Sequence, residues 1–120
     1  MLVNLKEILA PAYEKHYAVG SFNCYSYETF RGCIAAGEET GKPVIAAFGA
    51  AYLKNMSLEI VHAIVVSLTR EVRVPVCLHL DHCSDLNVIY RAIKAGFGSV
   101  MYDGSMFPFA ENVANTHAVC

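Results

Sequence analysis

The stretch that decides the fold is VCLHLDH, residues 76–82, which follows Pro75. It is an apolar run of strand length that ends in an acid beside an imidazole, where a buried strand is expected to emerge into a loop. Because successive side chains of a strand face opposite sides, residues 76–82 should present two sets. One set is Val76, Leu78 and Leu80; the other is Cys77, His79 and Asp81. His82 is predicted to lie just past the end of the strand.

Strand and helix signals alternate through the rest of the chain. Apolar runs begin at about residues 17, 43, 74 and 98, and each is followed by a segment with apolar residues at helical spacing. The helices are expected to begin after residues that cap helices well: Asn4, Ser26, Ser57, and either Ser84 or Asp85. The order predicts an N-terminal helix and four strand–helix units in a parallel sheet with right-handed crossovers.

Four such units fit half of an eight-stranded barrel or a small open sheet with helices on both faces, and periodicity alone does not choose between them. No glycine-rich dinucleotide fingerprint follows the first strand and no Walker loop is present, which argues against a nucleotide-binding open sheet. In a barrel, function concentrates where the strands end. Those positions are Asn23, Gly49, Asp81-His82 and Asp103-Gly104-Ser105.

Composition narrows the functional class. Only 17% of the 120 residues are charged, below the roughly 25% of ordinary soluble domains, which indicates either a large oligomer interface or a piece of a bigger fold. The net charge of -2 and the scattered Lys and Arg argue against a nucleic-acid partner. No apolar stretch approaches a membrane span and no leader peptide is evident, and the five cysteines form no CxxC pair. These features predict a cytoplasmic protein with reduced thiols and no membrane association.

Several spaced motifs resemble one family. HLDH at residues 79–82, SVMYDGS at 99–105 and PFAEN at 108–112 resemble the class II, zinc-dependent fructose-bisphosphate and tagatose-bisphosphate aldolases. YAVGSFN at 17–23 and KPVI at 42–45 are also similar, so the resemblance covers essentially the whole chain. It implies a TIM barrel, with residues 1–120 as its N-terminal half: one helix, then the first four β/α units, with no internal domain boundary.

The resemblance also implies a chemistry. These enzymes reversibly cleave a ketose 1,6-bisphosphate, here most simply fructose bisphosphate, to dihydroxyacetone phosphate and an aldehyde phosphate. The acid matching Asp81 moves the proton of the C4 hydroxyl, and the histidine matching His82 is one of three zinc ligands. Asp103 matches an acid near a second cation site in some members, and Asn23 falls close to the substrate. His79 is either a metal ligand beside His82 or an inward-facing support for Asp81 or the zinc ligand.

Simpler interpretations stand beside these assignments. Asp81 is alternatively a loop acid that caps the next helix, beside a solvated His82. Cys83 is alternatively a plain loop thiol instead of a metal ligand. Asp103-Gly104-Ser105 is alternatively no more than a turn, which Asp-Gly favours.

The sequence also departs from the family pattern. The other two zinc histidines and the glycine-rich phosphate loops of the family have no counterpart in residues 1–120, and Phe48-Gly49-Ala50 stands where some members place a phosphate-binding serine. The expectation is therefore a phosphorylated-sugar substrate, Zn²⁺ completed by histidines absent from this stretch, a homo-oligomer, and little or no activity for the stretch alone. The alternative is a non-catalytic half-barrel module that assembles with itself or with another chain.

Overall fold

The computed structural model describes all 120 residues. A helix opens the chain and four strand–helix units follow, with one short 3₁₀ turn after the second strand. The elements are α1 (Leu5–Glu14), β1 (Gly20–Asn23), α2 (Tyr27–Thr40), β2 (Val44–Gly49), the turn Ala50–Tyr52, α3 (Leu58–Leu68), β3 (Val76–Cys83), α4 (Leu86–Ala95), β4 (Ser99–Tyr102) and α5 (Phe109–Val119).

The first four helices begin at the capping residues that the sequence indicates. Asn4 and Glu7 form a reciprocal capping box, with each side chain accepting a hydrogen bond from the other residue's backbone N–H at 3.0 and 2.9 Å. Asp85, not Ser84, caps α4. Gly96 ends α4 in the left-handed conformation, which a residue without a Cβ adopts at little cost.

α1 runs through Pro11 to Glu14 without a break. Two strand boundaries differ from the prediction. β1 begins at Gly20 instead of residue 17. β3 extends to Cys83 and therefore includes His82, which was predicted to lie beyond the strand.

The strands form one parallel sheet in the sequential order β1-β2-β3-β4. A doubly wound sheet reverses its strand order at a switch point, and this sheet does not. With right-handed crossovers, sequential order places all connecting helices on one face. The main core lies there: Leu78 and Leu80 pack in one cluster with Phe30 of α2, Val61 of α3 and Ile89 of α4. This is the arrangement of a barrel wall.

The opposite face of the sheet is apolar at its N-terminal end and polar at its carboxyl end. Ile8 of α1 packs there against Ile45 and Cys77 in a second, smaller cluster. Register pairing then stacks further inward-facing layers toward the carboxyl ends of the strands. The next layer is Asn23, Ala47, His79 and Ser99, and Gly49 and Asp81 lie beyond it. Asn23, His79 and Asp81 therefore share the face that the connecting helices do not cover.

The helices bury only part of the apolar stripes that the sequence indicates. Tyr13 is 84% exposed and Ile60 is 53% exposed, although both lie at stripe positions. Their helices pack against the sheet on one side only, so residues at the border of each stripe remain open to solvent.

All five cysteines are free thiols. No helix combines the length and the apolar character needed to cross a membrane.

Candidate active site

The site is built on an irregularity in β3. Leu80 pairs with Val100 of β4, but the next matched pair is Cys83 with Tyr102, so β3 carries one residue more than β4 over this interval. An extra residue of this kind is a β-bulge. At the bulge, His82 has a backbone φ of +48°, in the left-handed region.

The bulge changes which way the side chains face. In a regular strand His82 would face the helices, opposite to Asp81. Instead Cys83 packs in the helix-side core together with Leu80, as expected if one extra residue has been inserted between them. The side chains of Asp81 and His82 consequently lie together, with Oδ1 of Asp81 4.0 Å from Nε2 of His82.

Asp81 lies between two imidazoles. Its Oδ1 is 3.7 Å from Nε2 of His79 and 4.0 Å from Nε2 of His82. The Asp81 and His79 side chains are 22% and 15% exposed, whereas that of His82 is 63% exposed. Since Asp85 caps α4, the interpretation of Asp81 as a capping acid is wrong. Asp81 is a partly shielded carboxylate with two nitrogen neighbours.

His82 is held by Asp103 of the loop after β4. Its Nδ1 lies 2.8 Å from Oδ2 of Asp103, and this hydrogen bond, followed by the charge of Asp81, raises the pKa of His82. The same hydrogen bond, with smaller contributions from Ser105, lowers the pKa of Asp103 to about 2. The backbone N–H of Ser105 also donates to Oδ1 of Asp103 at 3.1 Å. The predicted turn is therefore present, and it aims the Asp103 carboxylate at His82.

His79 is held by a different kind of partner. Its Nδ1 lies 2.9 Å from Oγ of Ser99, the register partner of His79 on β4. Burial lowers the pKa of His79, with the charge of Asp81 opposing that effect, so the ring is neutral near pH 7. Ser99 was not among the predicted site residues. Its place at the start of β4 is visible in the sequence, whereas its position beside His79 follows from the strand pairing.

Two further predicted positions fall outside this cluster. Asn23 is exposed at the end of β1, on the same face but two strands away from His79. Cys83 is 2% exposed and packs in the helix-side core, and burial raises the pKa of its thiol. Its interpretation as a metal ligand is therefore wrong, since a ligating cysteine is an accessible thiolate.

The donor set of this chain fits one ligand of a metal site and not a complete site. His82 has its Nδ1 bound to a carboxylate, which is the usual arrangement of a metal-binding histidine and leaves Nε2 available for a ligand. Nowhere in the chain do three His, Cys, Asp or Glu side chains cluster closely enough to hold a metal ion. Catalytic zinc normally takes three protein ligands.

Comparison with known proteins decides the family. A family model described as class-II fructose-bisphosphate aldolase matches residues 3–120. The chain belongs to this family. The predicted resemblance to the class II fructose-bisphosphate aldolases is therefore confirmed, and the similar proteins are named as aldolases.

The similar proteins are longer than this chain. A sulfofructosephosphate aldolase of Alkalicoccus urumqiensis is 40% identical over 114 residues, covering 95% of this chain and 40% of the relative. A fructose-bisphosphate aldolase of Ureaplasma parvum serovar 3 is 40% identical over 118 residues, covering 96% of this chain and 40% of the relative. The crystal structure of the YdjI aldolase from Escherichia coli K12 superposes with a TM-score of 0.89 at 36% identity, covering 99% of this chain and 46% of that one. The chain spans less than half the length of each of these proteins. The structural match confirms the predicted fold, the first four β/α units of a TIM barrel.

The backbone at the bulge gives a stability prediction. Replacing His82 with Gly should leave the chain about 1 kcal/mol more stable than replacing it with Ala, because a Cβ is unfavourable in the left-handed region. Both variants lose the imidazole, so the difference isolates the backbone term. Urea unfolding followed by circular dichroism measures it. Met101, whose φ is not positive, is the control, and there Met101→Ala should be more stable than Met101→Gly. If His82→Ala were at least as stable as His82→Gly, that result would contradict the bulge geometry.

The His82–Asp103 pair gives a pH prediction. Asp103→Asn should lower the pKa of His82, measured by NMR titration of the imidazole in zinc-free buffer, whereas Glu111→Gln on the exposed first turn of α5 should leave it unchanged. Because folding raises the pKa of His82 above its usual 6.5, the pair stabilises fully below that value and its contribution is lost as pH rises through the folded-state pKa. On the acid side, the contribution is lost as pH falls toward about 2, the pKa of Asp103. A stability-against-pH curve that is the same with and without Asp103 would contradict the pairing.

Proposed function

We propose that this chain is part of a zinc-dependent class II aldolase that reversibly cleaves a ketose 1,6-bisphosphate, with fructose bisphosphate as the first substrate to test. The observation that carries the proposal is the Asp81 carboxylate at the carboxyl edge of β3, with two imidazole nitrogens within 4.0 Å of one of its oxygens. A general base needs this kind of shielded and oriented carboxylate. The family membership and the aldolase names of the relatives support the reaction class.

Asp81 is the proposed proton carrier. It accepts the proton of the substrate's C4 hydroxyl as the C3–C4 bond breaks, so that C4 becomes the carbonyl carbon of the departing aldehyde. The electron pair of the broken bond passes to C3 and the C2 carbonyl, and the resulting enediolate takes up a proton at C3 to give dihydroxyacetone phosphate. In the reverse direction it returns the proton. His79 orients the carboxylate from the more buried side, and its burial keeps water away from that side.

His82 is the proposed zinc ligand, through the Nε2 that its contact with Asp103 leaves open. When bound, the zinc would supply a Lewis acid for the substrate ketone. The other two ligands would come from histidines outside residues 1–120. We keep Asp103 as a candidate contact for a second cation and Asn23 as a candidate substrate contact, and both assignments are proposals.

Further parts of the proposal concern the setting of the enzyme. We propose that residues 1–120 form one half of a single barrel without an internal domain boundary, and that the protein is a homo-oligomer with a phosphorylated sugar as its substrate. Five free thiols support a reducing, cytoplasmic environment. Tagatose bisphosphate, which differs from fructose bisphosphate in configuration at C4, is the second substrate to test.

A second candidate function is a non-catalytic half-barrel module. The observation that favours it is that β1 and β4 each have one edge without a strand partner. A groove of about 630 Å³ runs beside β1 and is lined by residues such as Tyr17, Phe22 and Lys42, and Asp81 is not part of its lining. Unpaired edges and exposed aromatic side chains are what pairing with another half barrel would cover.

The two candidates separate in a direct assay. The purified 120-residue chain, with zinc added, should show no measurable cleavage of fructose bisphosphate in a coupled assay, because one histidine does not complete a catalytic zinc site. Its mass in solution is measured in parallel. Robust zinc-dependent turnover would show that this chain is sufficient, and a stable metal-free dimer without activity would favour the module.

The role of Asp81 has its own test. In an aldolase that carries the complete barrel, Asp81→Ala should lower kcat by a factor of about 10² to 10⁴, the usual contribution of a general base, with the bound zinc unchanged. Metal analysis of the purified variant checks the zinc content. Glu111→Gln is the matched control and should keep both turnover and zinc. Turnover that survives Asp81→Ala would remove Asp81 as the proton carrier.

A further inference from the structure

His79 contacts a different group through each of its ring nitrogens. Its Nδ1 lies 2.9 Å from Oγ of Ser99, and its Nε2 lies 3.7 Å from Oδ1 of Asp81. The His79 side chain is 15% exposed, so bulk water offers few alternatives to these two neighbours. The hydroxyl of Ser99 has no other hydrogen-bond partner in the chain. The three side chains therefore form a short series that ends at the proposed proton carrier.

The chemistry of the two neighbours selects one tautomer of the ring. A neutral imidazole carries a hydrogen on one nitrogen and a lone pair on the other. An ionised carboxylate only accepts hydrogen bonds, so the nitrogen that faces Asp81 is the one that should carry the hydrogen. Nδ1 is then an acceptor and needs a donor. A serine hydroxyl can rotate to donate, so Ser99 meets that requirement.

The position of Ser99 is fixed by the backbone. Ser99 is the register partner of His79, and the preceding Gly98 donates its N–H to the carbonyl of Leu78 at 3.0 Å. A Cβ on Gly98 would come within 2.7 Å of the carbonyl oxygen of Val3, so the glycine lets the start of β4 lie close to the backbone of the N-terminal segment. The Ser99–His79 contact follows from strand pairing and does not depend on a mobile loop.

We propose that Ser99 is a positioning residue for the active site: its hydroxyl donates to Nδ1 of His79, holds the ring in the Nε2–H tautomer and directs that N–H toward the Asp81 carboxylate. The consequence for catalysis rests on the proposed role of Asp81, whereas the tautomer itself does not. In the other tautomer a lone pair would face the carboxylate at 3.7 Å, and the favourable contact between the Nε2–H and the carboxylate would be lost.

The test reads the tautomer directly by NMR of ¹⁵N-labelled histidine in the 120-residue chain at neutral pH. The signals of His79 are identified by their loss in His79→Gln, and the shifts of the two ring nitrogens report which one carries the hydrogen. Wild type and Ser99→Thr, which keeps the hydroxyl, should show a protonated Nε2 and an unprotonated Nδ1. Ser99→Ala should show a mixture of tautomers. Ser67→Ala, at an exposed position on α3, is the control for loss of a serine hydroxyl elsewhere and should match wild type.

Two results would overturn the proposal: a wild-type ring protonated at Nδ1, or a Ser99→Ala chain that keeps the wild-type tautomer. Circular dichroism and the remaining histidine signals show whether Ser99→Ala is folded, and Ser99→Thr provides the rescue if it is not. In an active aldolase with the complete barrel, Ser99→Ala should lower kcat about tenfold with KM little changed, which is the order of effect of a residue that supports a ligand or base through a hydrogen bond. If the tautomer is as expected but no aldolase activity is found, the proposed function fails and the positioning contact remains. If activity is found but Ser99→Ala does not change the tautomer, the positioning role of Ser99 fails and the proposed function remains.

Discussion

The arrangement of the site depends on one extra residue in β3. Alternation of side chains is the strictest rule of a strand, and it would place Asp81 and His82 on opposite faces of the sheet. The bulge adds a residue opposite β4 and puts the backbone of His82 in the left-handed region. An acid and an imidazole that are adjacent in sequence can then face the same space. Without the bulge, His82 would point into the core between the sheet and the helices.

β4 and the loop after it hold the two histidines that lie beside Asp81. Each of the two histidines beside Asp81 has its Nδ1 bound to a residue of β4 or of the loop that follows it, and each turns its Nε2 toward Asp81. The partners differ in a way that suits the surroundings. Partly buried His79, whose pKa is lowered, has the neutral hydroxyl of Ser99, and exposed His82, whose pKa is raised, has the carboxylate of Asp103. A carboxylate behind an exposed imidazole suits a metal ligand, whereas a hydroxyl behind a more shielded one suits an uncharged support.

Much of this could be predicted from sequence because the signals are local. The caps of α1 and α2, the alternation from Val76 to Leu80 and the polar residues at strand ends are all properties of short segments. Sequential strand order, and with it the choice of a barrel over an open sheet, follows from long-range packing and was left open by periodicity. The bulge and the Ser99 contact were missed because both depend on how β3 pairs with β4, and the residues of one strand alone do not show where an extra residue interrupts that pairing.

The same strand supports both stability and chemistry because its two faces are used differently. Val76, Leu78 and Leu80 are fully buried against the helices, and burial of side chains of this size contributes about 1.5–3 kcal/mol each. A left-handed residue such as His82 costs roughly 1–2 kcal/mol, which is less than the three buried side chains contribute together. The strain is thus tolerable only because it lies at the end of a strand that is already anchored. The inward face is also divided along its length into an apolar and a polar part. Ile8, Ile45 and Cys77 pack at its N-terminal end, and the polar side chains lie toward the carboxyl ends of the strands. Substitutions at Val76, Leu78 and Leu80 should therefore act mainly on folding, and those at His79, Asp81 and His82 mainly on the candidate site.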